Sequence, residues 1–555
     1  MGTYLNPGKQ RYQMAVDSEI FVDKSEMIGY LNSLVNTQQR YVSVSRPRRF
    51  GKTMAADMIC AYYDREADSR EMFSQRKLSS VQETAREISW DAYLGKFDVI
   101  RLVMTRFIKK NRTVTEALDY LQSLVVRDIK KTYPKQDYFN DKDLIQTIED
   151  VYDVNSRQVV IVIDEWDAVF RERPNDKEGQ TEYLDFLRDL MKDNPHIALA
   201  YMTGILPIKK YGKHSALNMF DEYSMISPMQ LAPYTGFTEK EVSNLCRQYG
   251  RDYEKVKDWY DGYEVSDVIP PDPEHEIFLE TGVFPKPERY ALYSPLSVVK
   301  AITTGIIKDY WNKTETYEAL AEYIRRDYDG LKEAVTLLMD GGRLKVDTST
   351  YQNDMTTFHG REDILSLLIH LGYLGYDDEY SEVFIPNKEI LDEFKTSTKS
   401  SEWTEPFRAY ERSKEILEAT WRQDAIRVAE LLEEAHNRAS NKTYNNETAL
   451  SYAIQLAYYA AQKYYTTILE LDSGKGYVDI AYLPSPGHPD KPVLVIELKY
   501  NKTADTALTQ IKRQKYPERL EHYKGNILLV GIDYDRDVPS TNPDFKHHHC
   551  KIEKA

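Results

Sequence analysis

The sequence predicts an α/β chain: a parallel-sheet domain first, a mainly helical middle region next, and a compact α/β module last. Three observations predict it. From about residue 20 to residue 225, short apolar runs alternate with long amphipathic stretches. From 226 to 400 the strand signal fades, and from about 445 it returns in closely spaced form. A chain of 555 residues also exceeds what one hydrophobic core supports. The expected segments are therefore 1–225, 226–400, linker helices over 401–444, and a module over 445–540.

In the first segment, YVSVS at 41–45 reads as a short strand and 54–63 as the helix after it. Residues 97–103, 159–163 and 197–202 are further buried-strand candidates. The helical stretches between them, such as 114–130 and 181–192, are long enough for crossovers in a parallel sheet. In the middle, DILSLLIHLGYL (363–374) reads as a buried helix, and a small winged-helix element fits the pattern. Ala425, Val428, Leu431, Leu432 and Ala435 form a helical stripe suited to a linker. The last segment reads as a helix at 447–462, strands at 465–471, 477–483 and 493–500, a helix around 506–523, and a strand at 527–532.

Composition narrows the function. With 41% hydrophobic and 29% charged residues, the chain is an ordinary globular one. Its apolar runs, such as Val159 to Ile163, are far too short to span a membrane, and the N-terminus lacks a signal-peptide core. Three scattered cysteines (Cys60, Cys246, Cys550) indicate neither a disulfide framework nor a cysteine zinc site, and a cytoplasmic location is expected. A net charge of −16 argues against a general nucleic-acid coat, although a local basic groove is still allowed.

The first chemical motif is SRPRRFGKTM, residues 45–54. A strand, a tight loop and Gly51-Lys52-Thr53 opening a helix are the parts of a phosphate-binding loop. Arg46 stands where the usual pattern has its first glycine, followed by Pro47, Arg48, Arg49 and Phe50. These eight residues, 46–53, are the candidate ATP loop: Lys52 would reach the β- and γ-phosphates, and Thr53 would offer its hydroxyl to Mg²⁺. In VVIVIDEWD, Asp164 would hold Mg²⁺ and Glu165 would polarise the attacking water. Thr203, ending IALAYMT, is placed to sense the γ-phosphate. Taken singly, each motif also reads as a solvated turn or an ordinary strand end; their order in an α/β setting favours the nucleotide. The arginine and proline at the loop entry leave open whether ATP is hydrolysed or only bound.

The second motif lies in the last segment. Residues two apart in a strand share a face, so Glu497 and Lys499 project together while Leu498 turns to the core. A short connection can bring Asp479 alongside. Asp479 and Glu497 would bind Mg²⁺ or Mn²⁺, and Lys499 would position water and counter developing charge. The plain alternative is a solvated strand face with a Glu–Lys pair. Between Lys499 and Lys524, seven Lys or Arg stand against three acids, a plausible phosphate-backbone track or simply a charged helix face. HHHC at 547–550 has metal-ligating residue types, but sits in what reads as a ragged tail.

FVDKSEMI (21–28), SRPRRFGKTM, VIVIDEWDAVF (162–170) and TGILPIK (203–209) together resemble a large bacterial family that joins an AAA-ATPase-like domain to a C-terminal PD-(D/E)XK nuclease domain. WYDGYEV (259–265), YSPLSVV (293–299) and LIHLGYLGYD (368–377) extend the resemblance over most of the chain. The arginine-rich loop is that family's usual form, and Trp166 departs from it where a tyrosine is expected. The resemblance implies a P-loop ATPase-like fold, a restriction-endonuclease-like C-terminal fold, ATP and Mg²⁺ as cofactors, and DNA or RNA as partner, with further copies of the chain allowed. It also maps accessory nuclease positions to Glu447 and Gln510, with Tyr516 close behind. The expected function is an ATP-regulated, metal-dependent nuclease. Its rival is a nucleotide-switched assembly protein whose nuclease-like module is inactive or only binds nucleic acid.

Overall fold

YVSVS forms β1 (Tyr41–Ser45), buried along its length as an interior strand of a five-stranded parallel sheet. The computed structural model describes residues 2–80, 88–109, 111–208, 217–266, 288–311, 322–324, 330–353, 355–399, 403–436, 447–472, 477–513, 526–537 and 546–555. By contact density the chain divides into two units, Met1–Leu320 with Lys345–Glu393, and Ala321–Leu344 with Phe394–Ala555.

In the first unit β1 is joined by β2 (Asp98–Val103), β3 (Val159–Asp164), β4 (Ile197–Gly204) and β5 (Asp221–Tyr223), in the order β2-β3-β4-β1-β5. Helix α1 (Lys52–Tyr63) follows β1; α2 (Val114–Thr132) and α3 (Leu144–Asn155) precede β3; α4 (Lys177–Met191) precedes β4. Local chemistry starts the three crossover helices. Thr113 and Glu116 form a capping box, and the Asp143 and Asp176 side chains accept the first free N–H groups of α3 and α4. Val42, Val44, Val99, Val160, Val162 and Tyr201 then bury one sheet face against Ala56 and Ile59 of α1.

Strand order fixes where the loops meet. β4 lies between β1 and β3, with Thr203 opposite both Val44 and Asp164. The carboxyl ends of β1, β3 and β4 therefore open on one crevice, the usual ligand position of a parallel sheet.

The stretch expected as a mainly helical middle is divided between the two units and is not purely helical. β6 (Phe237–Thr238), β7 (Tyr263–Ser266) and β8 (Arg289–Tyr293) pair as an antiparallel sheet among the helices Glu239–Gln248, Tyr253–Tyr260 and Pro295–Thr304. The expected buried helix is present as Arg361–Leu371, ended by Gly372 at φ 87°.

The second unit holds a mixed sheet of β9 (Tyr465–Asp472), β10 (Tyr477–Pro484), β11 (Val493–Tyr500), β12 (Ile527–Tyr534) and β13 (His548–Lys554), in chain order. Only β11 and β12 run parallel. The period of two sorts its faces. Leu494, Ile496 and Leu498 pack with Ile416 and Leu417 of α5 (Thr404–Trp421), Val428 and Leu431 of α6 (Ala425–His436), and Leu450 of α7 (Glu447–Ala457). Val493 and Val495 pack on the other side with Leu508 and Ile511 of α8 (Ala504–Arg513). The stretch 401–444, expected as linker, thus contributes core to this unit.

The tail is not ragged. Residues 548–554 pair with β12, Cys550 opposite Ile532, and cover an edge that would otherwise be open. Glu433 Oε2 accepts the N–H groups of His547 and His548, at 3.0 and 3.1 Å, and contacts His548 Nδ1 at 2.9 Å. These histidines are therefore packing and hydrogen-bonding groups.

Candidate functional site

The loop after β1 wraps the mouth of a cleft of about 550 Å³, lined by Arg48, Arg49, Gly51, Lys52, Thr53, Asp164, Glu165, Arg171, Gly204 and Ile205 among others. Gly51 caps α1 at φ 85° and Arg49 also has a positive φ, so the chain turns sharply enough to aim successive groups at one point. Lys52 is buried, and its ammonium donates to the carbonyls of Arg46 (2.9 Å) and Pro47 (2.7 Å). Burial lowers its pKa to about 8, against the attraction of Asp167 and Asp164.

The loop's side chains divide into two sets. Arg48, Arg49, Lys52 and Thr53 reach the cleft. Arg46, Pro47 and Phe50 are buried, Phe50 against an apolar hollow beside the cleft. The Arg46 guanidinium donates to the carbonyls of Ser45 (2.9 Å) and Tyr223 (2.8 Å), tying the loop to β5. Phe50 sets its ring edge-to-face on Tyr263, with centroids 5.2 Å apart. A Cβ on Gly372 would lie 2.7 Å from Pro47 Cβ, and Tyr263 Oη donates to the Gly372 carbonyl at 2.6 Å. The YDGYEV and LIHLGYL stretches are thus the seat on which this loop packs.

At the cleft floor, Asp164 ends β3, almost wholly buried. Burial raises its pKa, partly offset by a hydrogen bond from Thr53 and the charge of Arg101. Its Oδ1 has no hydrogen-bond partner among the described residues. An orphaned carboxylate oxygen beside a threonine hydroxyl fits a hydrated Mg²⁺. Glu165, at φ 55°, is turned toward the cleft wall. Thr203 is fully buried, and its hydroxyl donates to the Val44 carbonyl at 2.9 Å. Gly204 and Ile205 reach the cleft in its place.

A second, apolar hollow of about 380 Å³ shares Arg49, Gly51 and Met54 with the cleft. Ile20, Phe21, Val22, Tyr234, Phe237 and Leu296 line it. An apolar slot continuous with a phosphate loop suits a nucleobase. Sequence reasoning missed most of this hollow, because its walls come from segments more than two hundred residues apart. It also missed Asp167 and Arg171. Asp167 is wholly buried and accepts N–H groups of Ile205 and Leu206, both at 3.0 Å, so it fixes the end of β4. The acidic run D-E-W-D was its only signal.

In the second unit, β10 and β11 pair as far as Ile480↔Ile496, which leaves Asp479 and Glu497 as the next residue on each strand. There Asp479 Oδ2 accepts the Leu498 N–H at 2.7 Å. Glu497 is 1% exposed, and Lys499, buried beside it, donates to its Oε1 at 2.9 Å. Both continue the stripe of Val493 and Val495 toward α8, on which Gln510 is half-buried. Asp533, opposite Lys499 on β12, accepts the first N–H of α8 from Ala504 at 2.7 Å and anchors that helix. It too escaped the sequence reading. Two carboxylates give the hard oxygen donors Mg²⁺ or Mn²⁺ takes. Among the described residues no group of three or more His, Cys, Asp or Glu is clustered for a metal. Glu447 begins α7, its side chain outside the described residues, as are Tyr516 and the basic positions 515, 519 and 524. Of the rest of that track, Lys512 pairs with Glu553.

Comparison with known proteins follows the same division. A family model for a predicted AAA-ATPase matches residues 8–212, and one for the PD-(D/E)XK nuclease superfamily matches residues 449–538. No curated protein matches the chain. Among solved structures, the Aeropyrum pernix ORC2 protein in ADPNP–ADP complexes aligns at 11% identity over 70% of this chain and 97% of that one, with TM-score 0.27. Its ADP form aligns at 11% identity over 68% and 94%, with TM-score 0.25.

Proposed function

Because the chain joins a predicted AAA-ATPase domain to a domain of the PD-(D/E)XK nuclease superfamily, we propose that it is an ATP-binding, ATP-regulated nuclease that hydrolyses phosphodiester bonds of DNA, or of RNA. The observation that carries the reading is Asp479 bonded to the Leu498 N–H, next to Glu497 with the Lys499 ammonium held on it, in one chain with a phosphate-loop cleft.

In this reading Asp479 and Glu497 hold the divalent ion, which when bound supplies Lewis acidity and an activated water. Lys499 places a fixed positive charge where negative charge grows on the phosphate. Glu447 and Gln510 support the site from α7 and α8. In the first unit, the apolar hollow takes the base. Arg48, Arg49, the Gly51 N–H and Lys52 take the phosphates, and Thr53 with Asp164 holds Mg²⁺. Glu165 orients water if ATP is turned over. Arg46, Pro47 and Thr203 shape the loop and strand ends without touching the nucleotide through their side chains, whereas Phe50 lines the hollow that takes the base.

The test uses the full chain with ATP and Mg²⁺ or Mn²⁺ on linear, supercoiled and single-stranded DNA and on RNA. Asp479→Asn is expected to abolish cutting and leave ATP affinity unchanged. No cutting of any substrate by the wild type would reject the nuclease. The rival is a nucleotide-switched assembly protein that rests on the same phosphate-loop cleft. It predicts ATP-dependent association that Lys52→Ala removes, with no cleavage at all.

A further inference from the structure

Arg171 lines the nucleotide cleft, and among the described residues its guanidinium is hydrogen-bonded at one end only. Nε donates to the buried Asp167 Oδ2 at 3.2 Å. That same oxygen accepts the N–H groups of Ile205 and Leu206, so this end is fixed to the strand end. The other end, Nη2, lies 3.7 Å from Glu165 Oε2, too far for a hydrogen bond. The Arg171 side chain is only 10% exposed, so the little surface it keeps is at the cleft wall. The loose partner itself, Glu165, sits at φ 55° on that wall.

Position along the cleft says which part of a nucleotide this end would meet. The apolar hollow and the cleft share Arg49, Gly51 and Met54. Arg171 lines only the cleft, with Glu165 on the same wall and Asp164 at the floor. A nucleotide with its base in the hollow and its phosphates over Gly51–Thr53 points its terminal phosphate toward that floor.

Resting on the nucleotide-binding reading above, we propose that Arg171 is the residue that tells a nucleoside triphosphate from a diphosphate. With a triphosphate bound, the free end of the guanidinium leaves Glu165 for a terminal phosphate oxygen, while Nε stays on Asp167. A charge-assisted arginine–phosphate hydrogen bond is stronger than a 3.7 Å ion pair, so the exchange is favourable. A diphosphate ends short of the guanidinium, and the pair with Glu165 persists. Glu165 is thereby released from its cation only when the triphosphate is present.

The test measures binding of a non-hydrolysable ATP analogue and of ADP, each with Mg²⁺, to the full-length wild type, Arg171→Gln, Arg171→Lys and Glu165→Gln, with thermal melts to verify folding. Arg171→Gln is expected to weaken the triphosphate by about 10- to 100-fold and leave ADP nearly unchanged. Arg171→Lys, which keeps the charge but not the two-ended reach, should recover part of that loss. Glu165→Gln removes the competing carboxylate and should tighten the triphosphate alone, an effect that disappears in the Arg171→Gln background. An unchanged ratio of the two affinities in Arg171→Gln overturns the proposal. So does an equal loss for both nucleotides, or a Glu165→Gln gain of the same size in both backgrounds. If the wild type binds neither nucleotide, the underlying reading fails first, and that is seen without any variant.

Discussion

Lys52 is the residue whose environment makes the sharpest forecast. Its folded pKa of about 8 lies below the ordinary 10.5, chiefly because it is buried. Below pH 8 the folded protein carries a buried ammonium at a cost. As pH rises from about 8 to about 10.5, the unfolded chain holds a proton the folded one has lost, so this residue's contribution to stability becomes more favourable. Nucleotide affinity runs the opposite way. Phosphates need the charged form, so above pH 8 binding must take up a proton, and affinity is expected to fall about tenfold per pH unit. Nucleotide titrations from about pH 7 to about pH 9.5 read that slope directly; a flat profile would contradict it. In the other unit, Lys499→Ala takes away the ammonium beside the buried Glu497 carboxylate and should cost about 3–5 kcal/mol, measured by denaturant melts. Loss of cutting in that variant is therefore ambiguous. Asp479→Asn, at a half-exposed position, is the cleaner probe.

At the scale of elements, both sites depend on how closely one piece approaches another. A Cβ on Gly531 would meet the Ala504 carbonyl oxygen at 2.6 Å and Ala507 Cβ at 3.2 Å. Gly531 is also the register partner of Glu497. Gly531→Ala should push α8 away from the sheet, cost about 1–3 kcal/mol in a urea melt, and slow cutting by disturbing Glu497. A variant as stable and active as the wild type would mean that α8 yields freely. The phosphate loop shows the same dependence from the other side. Its unusual arginine, proline and phenylalanine are accounted for by β5, Gly372 and Tyr263, elements far away in sequence.

The whole molecule divides into two units, each with its own sheet and core. Thermal unfolding is expected to show two transitions. Mg²⁺ and ATP at about a hundred times the dissociation constant should stabilise one of them by about 2.7 kcal/mol and leave the other in place. The Lys52→Ala variant should lose that shift. A single transition moved as a block by ATP would show instead that the units unfold together.

Much of this was legible in the sequence. The alternation of apolar runs with amphipathic stretches and the order of motifs predicted the parallel sheet and its strands at 41–45 and 159–163, and the period of two put Glu497 and Lys499 on one face. Those features are local: each depends on residues within a few positions, or on two neighbouring strands. What the sequence alone could not decide is what a side chain meets across the fold. Arg46 and Arg48 are two residues apart in one basic run, yet one is buried against Tyr223 and the other faces the cleft. Thr203 carries the polar group expected of a phosphate sensor, but β1 lies next to it and takes its hydroxyl. The tail at 547–550 reads as ragged until β12 offers it an open edge. Sequence determined which residues could do chemistry, because residue type and local spacing are written there. Tertiary structure decided which of them face the cleft and which hold the walls, because burial and hydrogen-bond partners are set by segments distant in the chain.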